Sequence, residues 1–195
     1  MTIIECHWAE FTRSWIDFLI AQGIPIAEIE MQLGRVLSPK QGLLPSDDNA
    51  EFLRWCTLRL NRIHAGLILG KHVKSENLGI FGYLLRSFTS VEQARHAVSV
   101  FQSTVFEKQY ISLESADNRV HLTFDTRTKD ANGERSSIEF AFSAIVSVVP
   151  QIFRGERLAL ERIDFRHSDV ESSAVCGKFF CFVVKKKKNI KKMLF

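Results

Sequence analysis

The 195-residue chain is poor in the features that mark specialised protein classes. It has four cysteines, Cys6, Cys56, Cys176 and Cys181, irregularly spaced and without a CxxC pair. That pattern excludes a disulfide framework and a zinc ribbon. Four prolines and ten glycines are too few for collagen or a low-complexity linker. The longest apolar stretch, residues 141–153, is interrupted by Ser143, Ser147, Pro150 and Gln151 and is too short to cross a bilayer. The first residues place Glu5, His7 and Glu10 where a secretory signal needs an apolar run. Free thiols without a signal imply a reducing, cytoplasmic setting. No acidic residue follows Val184, whereas Lys185–Lys188, Lys191 and Lys192 supply six of the 26 basic residues. Without those six, 20 Lys+Arg face 22 Asp+Glu, so the body carries −2 although the whole chain carries +4. A domain that neutralises phosphates carries its basic excess on a folded face. Direct DNA contact is therefore not expected from this chain.

What is present suits a globular domain. Hydrophobic residues make up 46% of the chain and sixteen are Phe, enough to build a core. The length fits one domain plus a tail: residues 1–184 as the folded unit and 185–195 as a lysine-rich segment expected to be disordered. The tail's alternative role is a polybasic patch for acidic lipid or nucleic acid. A last strand and a frayed, solvated end is the favoured expectation.

Periodicity predicts the elements. Trp8, Phe11, Trp15, Phe18, Leu19 and Gln22 share one helical face, with Gly23 as its C-cap and Pro25 blocking continuation. A short helix over Ile26–Leu33 stops at Gly34. Residues 38–49 form a loop. Asp48 and Glu51 have capping-box spacing before an apolar face of Phe52, Trp55, Cys56, Leu60 and Ile63. Residues 78–85 predict a short buried helix among Gly66, Gly70, Gly79 and Gly82. Ser90 and Gln93 repeat the capping-box spacing ahead of Val91, Ala94, Val98, Phe101 and Val105. The period then changes to two in Ile111 and Leu113, and in Val120, Leu122 and Phe124, with a turn at Ala116–Asn118. Residues 128–136 are expected to be a polar loop. Ile138, Phe142, Ile145, Val146, Val149, Ile152 and Phe153 then define the most regular helix, which Pro150 should kink or end one turn early. Residues 160–165 alternate as a third strand. The expected fold class is α+β: N-terminal helices, a glycine-containing helical centre, a β-hairpin, a long amphipathic helix and a further strand.

Motifs for chemistry are absent. Gly66-Leu-Ile-Leu-Gly70-Lys71-His72 has three residues between its glycines and His after its Lys. A phosphate loop needs four, then Ser or Thr for Mg²⁺, so this stretch is expected to be a helix-terminus turn. Neither GxSxG nor HExxH occurs. His64, His72, His96, His121 and His167 are scattered, and Cys176 and Cys181 have no nearby His. No catalytic residue, no metal site and no cofactor is assigned.

Three strings carry a resemblance: Gly66–His72; Leu78-Gly79-Ile80-Phe81-Gly82-Tyr83; and Ser87-Phe88-Thr89-Ser90-Val91-Glu92-Gln93-Ala94. Together they closely resemble the N-terminal effector domain of AraC/XylS-type bacterial transcription regulators, in the branch labelled "arabinose-binding". Weaker likenesses extend over residues 8–182. They include Leu160-Glu-Arg-Ile-Asp-Phe165-Arg-His167, similar to the family's "V-x-F-x-H" strand, and Lys178-Phe179-Phe180-Cys181, similar to its "FFGC". The resemblance implies a non-enzymatic, small-molecule-sensing and dimerising domain whose ligand biases a conformational equilibrium. It leaves the effector's identity open. In the family a DNA-reading helix-turn-helix domain follows, whereas here the lysine run follows. The expectation is a truncated regulator acting as a homodimer or by pairing with full-length protein, without membrane contact. The alternatives are a stand-alone small-molecule binding or interaction module and, behind it, a small hydrolase.

Candidate ligand-binding residues are polar groups within apolar stretches. Tyr83 and Arg86 fall inside residues 78–88, and His121 falls between strand core positions. Their ordinary alternatives are a core aromatic, a helix C-terminal charge and a solvent-facing strand residue.

Overall fold

The computed structural model describes residues 15–34, 46–62, 64–105, 109–116, 119–126, 131–152, 161–165, 184–186 and 192–194. The helices are α1 (residues 15–21), α2 (Ile26–Leu33), α3 (Ser46–Arg59), α4 (Ala65–Lys71), α5 (Gly79–Arg86), α6 (Val91–Val105) and α7 (Ala131–Ile152). A 3-10 turn, Ser75–Leu78, leads into α5. The strands are β1 (Gln109–Ala116), β2 (Arg119–Thr126), β3 (Arg162–Phe165), β4 (Val184–Lys186) and β5 (Lys192–Leu194). They form one sheet in the order β1-β2-β5-β3-β4, antiparallel except for the β3–β4 pair. The fold is α+β, with the helices, hairpin, long helix and further strand in the expected order.

The opening helices follow their sequence signals. Trp15 and Leu19 are buried and Phe18 is half-buried; Trp8 and Phe11 lie outside the described residues. Gly23 (φ +84°) and Gly34 (φ +63°) both take the left-handed conformation that a side chain resists. The Gly34 N–H closes α2 onto the Glu30 and Met31 carbonyls.

The long helix α7 organises the rest. Phe140, Ala144, Val148 and Ile152, spaced every four residues, join the core formed with Trp15, Leu19, Ile29, Phe52, Leu53 and Leu69. Trp15 meets Phe140 edge-on at 4.7 Å and stacks on Phe52 at 6.1 Å. On its other side α7 buries Ile138 and Phe142, and Phe142 meets Phe124 of β2 at 6.3 Å. One helix thus serves a helical layer and a sheet. A single apolar stripe does not describe it: Ile145, Val146 and Val149 of the predicted face are only half-buried, whereas Phe140, Ala144 and Val148 are buried.

The glycines of α4 sit against the backbone of α7. A Cβ at Gly66 would lie 2.2 Å from the Ser136 carbonyl oxygen, and one at Gly70 would lie 2.5 Å from that of Phe140. Both are backbone atoms, so neither can swing aside. Two sequence expectations change here. Gly66–Gly70 is a helix interior packed on α7, not a helix-terminus turn. Residues 131–136 open α7 instead of closing a polar loop, and Ser136, Ser137 and Ser143 are buried polar residues. Ser143 donates to the Leu67 carbonyl at 2.7 Å, and Ser136 Oγ sits 3.3 Å from Thr57 Oγ1. Polarity that suggests solvent here satisfies hydrogen bonds across a seam.

Other differences are smaller. α3 begins at Ser46, two residues before Asp48, and α7 continues to Ile152 past the exposed Pro150, which sits in its final turn. The two hairpin strands pair as expected, out to Ala116 opposite Arg119; Asp117 and Asn118 of the expected turn lie outside the described residues. The stretch 185–195, expected as a tail, contributes strand residues: Val184–Lys186 and Lys192–Leu194 flank β3 on its two sides. The register explains how. Met193 pairs with Leu122 and with Ile163, both buried, and Val184 also pairs with Ile163. In the same register Lys185 and Lys192 both fall opposite Asp164.

We expect Gly66→Ala and Gly70→Ala each to lower the unfolding free energy by about 3 kcal/mol, because overpacking against backbone relaxes poorly. Gly34→Ala, with nothing within 4 Å of its Cβ, should cost about 1 kcal/mol for its left-handed φ alone. Urea unfolding midpoints at unchanged slope measure both; equal losses at positions 34 and 70 would refute the seam.

Candidate ligand-binding groove

An open groove of about 770 Å³ lies between the end of α5 and the outer side of α6. Leu84, Phe88, Ala97 and Val100 supply its apolar lining, and Ser87, Ser90, Glu92, Gln93 and His96 its polar lining. Ala97 and Val100 are brought to one face by the helical spacing of α6, whereas Leu84 lies in the last turns of α5 and Phe88 in the connection that follows it.

Local hydrogen bonds hold the connection between the two helices. Ser87 turns α5 off: its N–H reaches the Leu84 carbonyl at 3.0 Å and its hydroxyl donates to the same oxygen at 2.6 Å. The expected capping box of α6 forms in a shifted version. The Gln93 N–H donates to Ser90 Oγ at 3.3 Å, while Gln93 Oε1 accepts the N–H of Thr89, not of Ser90, at 2.8 Å. Glu92 accepts bidentate hydrogen bonds from Arg95 one turn on, with Nε at 2.9 Å from Oε1 and 3.0 Å from Oε2. Those bonds hold the Glu92 carboxyl below the usual carboxylate range, with the nearby His96 adding to the effect.

The three sequence-predicted residues fall beside or away from this groove; none of them lines it. Tyr83 is 69% exposed, and the Arg86 guanidinium lies 5.6 Å from its ring centroid, a cation–π arrangement. Arg86 also donates from Nε and Nη2 to Ser75 Oγ at 3.0 and 2.7 Å. Ser75 is buried, and its N–H donates to Gln151 of α7 at 3.0 Å. Arg86 therefore ties the end of α5, through the 3-10 turn, to the last turn of α7. The predicted buried helix 78–85 divides into that turn and α5, whose Tyr83 side faces solvent. His121 lies on β2, half-buried, in register with Glu114 and Leu194. The structure brings Tyr83 and Arg86 together and places His121 on a different element. Phe88, Gln93 and His96 escape sequence inspection as lining residues. The available signal was the apolar pair Ala97/Val100, on the flank of α6 opposite its expected core side.

A second polar cluster sits at the glycine seam. Glu139, fully buried, accepts from His64 Nδ1 and from Arg135 Nε, each at 3.1 Å. A Nδ1 that donates to the carboxylate cannot also accept from Arg135 Nη2, 3.5 Å away, so the latter is a packing contact. The cluster pins the start of α4 to α7. Among the described residues no hydroxyl or thiol is hydrogen-bonded to a histidine ring, and no three His, Cys, Asp or Glu side chains converge as metal ligands. Burial pushes the Cys56 thiol up, keeping it neutral and poorly nucleophilic.

Comparison with known proteins identifies the domain. Residues 17–187 match the family described as the arabinose-binding domain of AraC transcription regulator, N-terminal. The chain belongs to this family. The AraC-type domain also shares its fold with the transcriptional regulator CdpR from Pseudomonas aeruginosa, at a TM-score of 0.63 and 18% identity. That match covers 100% of this chain and 55% of CdpR, so the AraC-type domain spans about half the length of the regulator it resembles. A search of curated protein sequences finds no match. Among its described residues no helix is long and apolar enough to cross a membrane.

Two substitutions test the polar ties of this AraC-type domain. Arg86→Met should cost about 1 kcal/mol, the scale of an ordinary hydrogen bond, and speed amide hydrogen exchange in Gly79–Arg86. Arg135→Met, which removes one charged partner of a fully buried carboxylate, should cost about 3 kcal/mol by denaturant unfolding. Equal, near-zero losses at both sites would mean that neither tie contributes to stability.

Proposed function

We propose that this AraC-type domain is a small-molecule sensor: it binds an effector, and occupancy shifts the conformation or dimer state through which a transcription regulator acts. The groove between α5 and α6 is the observation that carries this reading. It combines an apolar floor with a few hydrogen-bonding groups, the usual make-up of a ligand seat, within a family named for ligand binding. Its lining also belongs to a segment tied to the rest of the fold: Arg86 stands between Leu84 and Ser87 in the chain and reaches α7 through Ser75 and Gln151. We infer that Tyr83 and Arg86 border the bound effector, and that His121 serves the sheet and not the ligand. The domain acts without catalysis or cofactor, as a homodimer or paired with a full-length regulator, and in the cytoplasm. It makes no DNA contact of its own.

An effector that binds only the folded state stabilises it by about 2.7 kcal/mol at a hundredfold excess over Kd. For a chain of this size that corresponds to a rise in Tm of roughly 5–10 °C. A thermal-shift screen against a metabolite panel should therefore return at least one such compound. Sedimentation velocity with and without that compound should show a changed dimer fraction or sedimentation coefficient. A complete screen with no stabilising compound would defeat the proposal.

A further inference from the structure

The sensing role proposed above leaves the effector's chemistry open, and the hydrogen-bond inventory of the groove narrows it. Among the described lining residues Glu92 alone carries a carboxylate, and both its oxygens are engaged by Arg95, which is not itself in the lining. The same described lining holds no Lys or Arg. Within it a ligand carboxylate would find neutral donors and the His96 ring but no guanidinium or ammonium, and a ligand ammonium would find the Glu92 carboxylate already paired. Taking either charge out of water without a partner is costly.

The neutral groups point to a particular head. Gln93 Oε1 is occupied by the Thr89 N–H and lies 3.4 Å from Thr89 Oγ1. That fixes the amide's orientation and leaves the two Nε2 donors for a ligand. Ser90 Oγ already accepts from the Gln93 N–H, so its own O–H remains to donate. Ser87 Oγ already donates to the Leu84 carbonyl, so its lone pairs remain to accept. Beside the His96 ring, which adds a donor and an acceptor of its own when neutral, the three donors of Gln93 and Ser90 and the Ser87 acceptor suit a carbonyl oxygen flanked by an N–H. The apolar body such a head carries must cover Leu84, Phe88, Ala97 and Val100. Phe88 offers a ring face or edge for an aromatic partner.

Resting on that sensing role, we propose that the α5–α6 groove is the effector seat and that it takes an uncharged ligand, a ring-sized apolar body bearing an amide-type carbonyl head. The groups that recognise it are Gln93 Nε2 and the Ser90 and Ser87 hydroxyls. Charged analogues of the same size are rejected because the groove's own charge is internally satisfied.

Three near-isosteric probes test this: hydrocinnamide (neutral), phenylpropylamine (cationic) and hydrocinnamate (anionic). Each is titrated into the isotope-labelled full chain while the backbone amides of residues 84–100 are followed by NMR. Hydrocinnamide should shift those amides with a Kd at least about tenfold below that of either charged analogue. Gln93→Ala should erase most of that preference, and Val100→Trp should block all three. Val100 is 51% exposed, so Val100→Trp should keep its fold, verified by an unchanged thermal midpoint. It holds the test open even if Gln93→Ala loosens the α6 cap. The inference is overturned if a charged analogue binds as tightly as the amide, if the amide leaves residues 84–100 unshifted at millimolar concentration, or if Val100→Trp binds it as well as the parent does. The screen of the preceding subsection separates the two ideas. A metabolite that stabilises the parent and Val100→Trp equally would move the seat elsewhere and leave the sensing role standing.

Discussion

Two absent side chains hold this domain together. With Gly66 and Gly70 on its inner face, α4 rests on α7 at a separation where a single methyl group would strike a carbonyl oxygen. The contact is small, yet it fixes much else. Ser143 of α7 finds its partner across it, on the Leu67 carbonyl, while Ser136 lies beside Thr57 of α3. Glu139 reaches His64 at the head of α4 only because the helices are this close. Well-packed interiors transmit strain instead of absorbing it, so a displacement of α4 would be felt along α7 on both of its buried sides.

That two-sidedness makes α7 the common support of the helical layer and the sheet. It carries the aromatic and aliphatic core shared with α1–α4 on one side and the sheet on the other, and its last turn receives the Arg86–Ser75–Gln151 chain from the end of α5. The groove lies at the far end of that chain. A sensing domain needs a bistable element on which the ligand has unequal purchase. A segment held by a few hydrogen bonds at an exposed end, against a scaffold fixed by backbone contact, has the contrast in stiffness such an element requires.

Much of this was legible in the sequence, and the failures share a cause. The limits of α2, the left-handed Gly23 and Gly34, the pairing of the two hairpin strands and the start of α6 all depend on nearest-neighbour chemistry, which a linear string displays. The α4 glycines and the α7 serines could not be placed that way. A glycine pair looks like a turn, and a polar cluster looks like solvent, until a neighbouring backbone from some seventy residues away arrives to explain both. Glu139 was invisible for the same reason: its burial depends on His64, and nothing local announces it. At the candidate groove, the sequence points to Tyr83 and Arg86, which meet each other but do not line it. The groove is not legible because the α5–α6 connection and one flank of α6 make it together.

The sheet order carries a further implication. β5 lies between β2 and β3, so among the described residues the hairpin and the β3–β4 pair share no ladder of their own, and the hydrogen-bonded bridge between them is three residues long. Such an architecture is a keystone arrangement. Every strand up to β4 can be in place and the sheet is still two separate pieces, until a short lysine-bearing segment seats itself in the gap and makes them one surface.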